Sequence, residues 1–181
     1  VHSQFLTKDG LPFVVREAVP GDAEQLLAGT RGVFEERLDH LITEPDEFTI
    51  TLDQERAWIQ KYLDADNSIL LVAEQAGEII GWVDLRGNRR RRMRHTGLLG
   101  ITVVEPWRNR GVGAALLQTL ISWATSNPIL EKLKLGVMED NKPALALYRK
   151  MGFEEEGRQV REYRKADGTY FNDILMARFV R

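Results

Sequence analysis

The stretch PWRNRGVGAALL, residues 106–117, follows the apolar run TGLLGITVV (96–104) and opens a second apolar run. Gly111 and Gly113 permit backbone angles closed to other residues and let a ligand come up against the main chain. The first N–H groups of a helix have no partner inside it, and the helix dipole places about half a positive charge at that end. Arg108 and Arg110 add two full charges. A strand that turns through these residues into a helix suits an anion, above all phosphate.

Working outward, Val112, Leu116, Leu117, Leu120, Ile121 and Ala124 form the apolar stripe of a helix over 111–126, which Asn127-Pro128 ends. LEKLKLGVM (130–138) alternates as a strand. Strand, helix and strand make a right-handed crossover, so the two strands run parallel in mid-sheet with the glycine turn at a carboxyl end, where open α/β sheets bind ligands.

Upstream, LPFVVRE (11–17) has strand character, and Asp22 with Gln25 reads as the cap of a helix carrying Leu26, Leu27, Val33, Phe34 and Leu38. After the polar loop TEPDEFT (43–49), Thr51 and Gln54 form a capping box that opens DQERAWIQKYLDA. SILLVAE and EIIGWVDL make a hairpin about Gln75-Ala76-Gly77. Downstream, KPALALYRKM begins with an early proline and stops at Gly152, as helices do. FEEEGRQVREYR and TYFNDILMARFV close the chain as a hairpin about Asp167-Gly168. The expected order is β-αα-β-β-β-α-β-α-β-β.

Composition narrows the function. The 181 residues are 43% hydrophobic and 29% charged, which suits one globular domain over 1–181 with a proper core. A net charge of -2 gives no general attraction to nucleic acid or anionic lipid. The absence of cysteine excludes disulfides, thiolate metal sites and a cysteine nucleophile, and fits a cytoplasmic location. No signal-peptide core or apolar run of about 18 residues is present, so no membrane is expected.

Two familiar phosphate turns are poor matches. A nucleoside-triphosphate loop needs a lysine and a hydroxyl after its last glycine, and Gly113 is followed by Ala114-Ala115. A dinucleotide turn needs a third glycine where Leu116 stands. A glycine-rich turn without a ligand is the plain alternative on the glycines alone.

Arg108-Asn109-Arg110-Gly111-Val112-Gly113, after ITVV, resembles the (Gln/Arg)-x-x-Gly-x-(Gly/Ala) signature of the GNAT superfamily of N-acetyltransferases. Asn141 to Phe153, with Tyr148 and Gly152 between, resembles the asparagine-helix-tyrosine-glycine-phenylalanine segment of the same family, and the element order is similar from about residue 12 to 180. The resemblance leans toward bacterial ribosomal-protein or diamine acetyltransferase types. It implies an α/β fold, a single strongly twisted mixed sheet of about seven strands flanked by about four helices, with a splayed central parallel pair.

It also implies an acetyl-CoA-dependent transfer to an amine by direct attack in a ternary complex, with no metal. Carried onto this chain, Ile101, Thr102 and Val103 would meet the pantetheine arm and acetyl carbonyl through their main chain. Arg108, Asn109, Arg110, Gly111, Val112, Gly113 and Ala114 would hold the pyrophosphate. Asn141 would touch the cofactor or cap the last helix. Tyr148 would be the general acid for the CoA thiolate, or simply a core residue. His95 is a candidate base by its ordinary pKa near 6.5 and its strand phase, with Glu105, Glu44 or a water chain as alternatives.

The acceptor is less defined. Glu35, Glu36, Asp39, Glu44, Asp46 and Glu47 could rim a site for a cationic amine, either a small molecule or a protein N-terminus, or be a solvated helix face. A homodimer is plausible from family habit alone. One feature belongs to another class: RGNRRRRMRH (86–95) has six arginines in ten residues and could bind nucleic acid without catalysis. It lacks interleaved aromatics for base stacking, so nucleic acid is the secondary expectation.

Overall fold

The structure, a computed structural model, describes residues 1–165 and 167–181. Its strands are β1 (His2–Leu6), β2 (Pro12–Glu17), β3 (Ile69–Gln75), β4 (Glu78–Gly87), β5 (Thr96–Val103), β6 (Lys132–Met138), β7 (Glu154–Arg164) and β8 (Tyr170–Phe179). They form one sheet in the order β1-β2-β3-β4-β5-β6-β8-β7, in which, among the described residues, β5 and β6 are the one parallel pair. Among the described residues four α-helices flank it: α1 (Ala23–Glu35), α2 (Leu52–Leu63), α3 (Val112–Ser126) and α4 (Lys142–Lys150).

The sheet is apolar on both faces. Ile69, Leu71 and Ala73 of β3 pack with Leu116, Leu117 and Leu120 of α3, while Leu70 and Val72 pack with Leu26 of α1 and Ile59 of α2. A strand covered on both sides cannot alternate in polarity, which is why SILLVAE is a continuous apolar run. β3 and β4 meet at a turn in which Ala76 and Gly77 both have positive φ, 49° and 86°, the twist a tight hairpin needs. Gln25 of α1 fixes that hairpin, accepting from the Ile79 N–H at 2.9 Å and donating to the Gly77 carbonyl at 3.2 Å.

Two local features differ from the sequence reading. The sheet has an eighth strand, β1, at the edge; its only aromatic, Phe5, stacks on Phe13 at 5.7 Å. Five residues of mixed polarity carry too weak an alternation to announce it. Asp22, expected as a helix cap, spends its carboxylate on Arg16 at 2.8 Å and on the Val19 N–H at 2.8 Å, and makes no cap bond. A nearby guanidinium outcompetes an N–H as partner for a largely buried carboxylate, and it holds Asp22 below the ordinary aspartate range against the cost of burial. The Thr51–Gln54 capping box forms as expected.

Candidate active site

β5 and β6 pair over three residues only, Thr96–Lys132, Gly97–Leu133 and Leu98–Lys134. Beyond them β5 stays with β4 as far as Val103–Gly81, and β6 stays with β8 as far as Met138–Asp173, so the two strands are drawn apart. Among the described residues no strand pairs with the main chain of Gly100 to Val103 on the side facing β6. Peptide groups left this way are obliged to find water or a ligand.

The chain then turns through Asn109 and Gly111, both left-handed at φ 61° and 96°, into α3. The first helical bond runs from the Ala115 N–H to the Gly111 carbonyl at 3.1 Å, and no side chain caps the N–H groups before it. A Cβ at Gly111 would meet nothing within 4 Å, so that glycine is required by its φ rather than by space. Gly113 is the reverse: a Cβ there would stand 3.3 Å from Leu147, because α3 starts hard against α4. Between them lies a cavity of about 430 Å³, lined by Val103, Arg108, Asn109, Gly111, Ala114 and Asn141 among others. Asn141 also caps α4, accepting from the Ala144 N–H at 3.2 Å, which is the capping role expected of it.

The arginines behave differently from expectation. The Arg108 guanidinium forms a two-point pair with Glu36 at 2.6 and 2.8 Å and donates to the Val103 carbonyl at 2.9 Å. It ties the end of α1 to the end of β5, which leaves little of it for an anion. Arg110 pairs with Asp9 and lies 4.5 Å over the Trp107 ring; its charge holds the exposed Asp9 down to about 2. The Arg110 carbonyl also accepts from the Lys8 N–H at 3.0 Å, which fastens the β1–β2 turn to the glycine turn. Lys8, with Lys150 of α4, lines the cavity. Lys8 was invisible in the sequence as a site residue because nothing local links residue 8 to residue 110.

Residues 35–153 match the family described as Acetyltransferase (GNAT) family. The chain is 30% identical over 147 residues to the L-amino acid N-acetyltransferase AaaT of Escherichia coli (strain K12), covering 79% of this chain and 90% of that protein. The chain belongs to the GNAT acetyltransferase family. Its fold superposes on an acetyltransferase of the GNAT family from Streptococcus pneumoniae with a TM-score of 0.88, 34% identity, and 92% and 99% of the two chains covered. A GNAT phosphinothricin acetyltransferase from Sinorhizobium meliloti, crystallised with acetyl-CoA, shares the fold at a TM-score of 0.78 and 22% identity, over 91% of this chain and 86% of that one. As a GNAT member the chain is an acetyl-CoA-dependent acyltransferase acting on amines.

In this GNAT chain Ile101 and Val103 pack their side chains on the main core and Val112 is buried in it, so these residues have only main chain to offer. Thr102 pairs with Trp82 across the β4–β5 ladder. Tyr148 is buried in the same core, with its ring edge-on to Phe153 at 6.0 Å, and burial pushes its phenol up to about 12. Its neighbours Ala144 and Leu147 line the cavity. His95 is not brought to this place. It precedes β5 at the opposite end from the glycine turn, about 20 Å along the strand from Ile101 at roughly 3.3 Å per residue. There its carbonyl accepts from the N–H groups of Glu131 and Lys132, a main-chain role.

A second cavity, about 460 Å³, lies between the α1–α2 segment and the β7–β8 hairpin. Its charged lining is mixed: Arg37, Asp39 and Glu44 from one side, Glu162, Arg164 and Lys165 from the other. The expected acidic rim is therefore partly neutralised. Glu36 is bound to Arg108, Asp39 lies 3.7 Å from Lys165, and Glu47 closes a turn onto the Glu44 N–H at 2.9 Å. The arginine run 86–95 lies elsewhere; Arg94 pairs with Asp66 and Arg86 with Asp84. Among the described residues no group of His, Asp and Glu is disposed to hold a metal ion, and no helix is long and apolar enough to cross a membrane.

Proposed function

We propose that the protein transfers the acetyl group of acetyl-CoA to the amine of a free amino acid, by direct attack without a covalent acyl-enzyme. One observation carries the reading. The main chain of Gly100 to Val103, which no strand pairs on the side facing β6 among the described residues, leads within a few residues to an α3 N-terminus that no side chain caps. The first suits the amides of a pantetheine arm and the second suits a pyrophosphate.

In this reading Ile101 and Val103, whose peptide groups face the gap while those of Thr102 are taken up by β4, hold the arm by their main chain, and an N–H near Val103 steadies the oxyanion that develops on the thioester carbonyl. Asn109, Gly111, Val112, Gly113 and Ala114 hold the pyrophosphate by N–H groups. Arg108 and Arg110 fix the turn through Glu36 and Asp9 rather than neutralising the ligand. Lys8, Lys150 and Asn141 add polar groups to the lining. Tyr148 is a neutral phenol at working pH and donates its O–H to the departing thiolate. The acceptor enters the second cavity, where Arg37, Arg164 and Lys165 are matched to a carboxylate. The Escherichia coli relative, named for L-amino acids, supports that choice.

A panel of amines assayed for free-thiol release from acetyl-CoA tests this. Free L-amino acids should turn over with kcat/KM about tenfold or more above their carboxamides, since a tenfold ratio corresponds to about 1.4 kcal/mol. Carboxamides or polyamines acetylated as well as the free acids would sink the acceptor assignment.

A further inference from the structure

The mechanism above lacks a group to take the proton of the acceptor ammonium. Two aspartates stand on one face of the sheet on either side of the splay. Asp84 of β4 is paired with Gly100 of β5, and a Cβ on Gly100 would be 3.1 Å from its Oδ1. Asp173 of β8 lies over Gly136 of β6, where a Cβ would stand 2.4 Å from its Oδ2. Strand phase puts both on the α1–α2 face: Leu85 and Leu99, neighbours of Asp84 and Gly100, point into the α3 core, as do Val137 and Ile174 beside Gly136 and Asp173. The glycines thus sit on the two diverging strands, each with a carboxylate laid over it.

The two carboxylates are not equivalent. Asp84 accepts the Tyr62 O–H at 2.8 Å and pairs with Arg86 at 3.2 Å, so it is committed. Asp173 is 4% exposed, and its Oδ1 is buried with no hydrogen-bond partner among the described residues. An orphan carboxylate oxygen is costly to fold and needs a reason. Met138, its partner across β6, and Phe171, two residues along β8, both line the second cavity.

We propose that Asp173 is the general base, accepting a proton from the acceptor ammonium at the floor of the second cavity. The proposal rests on the acetyltransferase reading and supplies its missing step. The ammonium gives one proton to Asp173, which passes it to solvent. The freed nitrogen lone pair forms the C–N bond as the C–S bond breaks, and the second nitrogen proton replaces the one Tyr148 delivers to the thiolate. The groups acting on Asp173 are Glu162 and Tyr163 of β7; from β6 it meets Gly136 and Met138, which do not titrate, and the α1–α2 segment adds Arg37, Asp39 and Glu44 to the cavity. Burial, helped by the Glu162 charge, raises the Asp173 carboxyl above the ordinary aspartate value, toward that of a useful base.

The test compares Asp173→Asn with the parent protein on three probes: an L-amino acid, n-butylamine, which needs deprotonation but no side-chain recognition, and O-methylhydroxylamine, which is already neutral near pH 7. Asp173→Asn should lose about 100-fold or more with the first two at pH 7. It should stay within about threefold with the third, and its acetyl-CoA affinity by calorimetry should not change. The acid limb of the parent kcat/KM profile should vanish, leaving a rate that climbs with the neutral fraction of the amine. Gly136→Ala, which pushes the carboxylate aside, should give the same selectivity at smaller size. Equal loss with all probes, or no loss with any, would overturn the proposal. If the amino acid fails while n-butylamine follows the pattern, the base stands and the acceptor class falls; if no probe turns over, both fall.

Discussion

The two cavities of this acetyltransferase are built on different principles. In the proposed function the cavity at the start of α3, to which Val103–Ala114, Lys8 and α4 contribute, would read CoA through peptide groups; the cavity assembled from residues 34–45, Met138, residues 162–165 and Phe171 would read the acceptor through side chains. Main-chain recognition depends on where strands part and where a helix begins, so a substitution matters when it changes backbone shape. Side-chain recognition depends on which charges end up facing one another.

Four substitutions press on that contrast. The largest effect belongs to Gly111→Val: a β-branched residue cannot hold φ near 96°, so acetyl-CoA affinity by calorimetry should fall by about two orders of magnitude or more. Affinity within threefold of the parent would break the main-chain half of the comparison. Tyr148→Phe should lower kcat by about 100-fold with little change in acetyl-CoA affinity. Because burial raises the phenol to about 12, the neutral form is present at every lower pH, so the parent should show no alkaline loss of rate from this group below about pH 10. An unchanged kcat would remove Tyr148 from the chemistry.

Arg164→Ala probes the other half. It should raise KM for free amino acids about tenfold and leave their carboxamides unaffected, as loss of a charge-assisted contact predicts. Equal effects on acids and carboxamides would mean that the cavity reads shape rather than charge. Lys8→Ala should have the smallest effect, a loss of about threefold in acetyl-CoA affinity that fades as salt is raised, because an exposed lysine meets its anion in water.

The same contrast explains what could be read in advance. A glycine pair after an apolar strand and before an apolar helix is a local pattern, and the structure places that turn, α3 and α4 where the pattern put them. Asn141 and Tyr148 follow because they sit at fixed steps on one short helix. What was hidden needed contacts between distant residues. Nothing around residue 8 says that a β1–β2 turn will reach Arg110, and nothing around residue 108 says that Glu36 will arrive to take the guanidinium. Asp173 looks like an ordinary polar residue of an alternating strand until the sheet buries it over Gly136. His95 attracted notice by its residue type and strand phase, but it precedes β5 at the end away from the glycine turn.

The short contact between β5 and β6 has a wider consequence. With three residue pairs in common, the sheet is two antiparallel halves joined by a narrow seam. A ligand seated in the gap would act as a further strand between them, and its binding free energy would be added to the cohesion of the molecule. Hydrogen exchange along the far ends of the two central strands should therefore slow as the gap fills, making the donor a part of the architecture for as long as it stays.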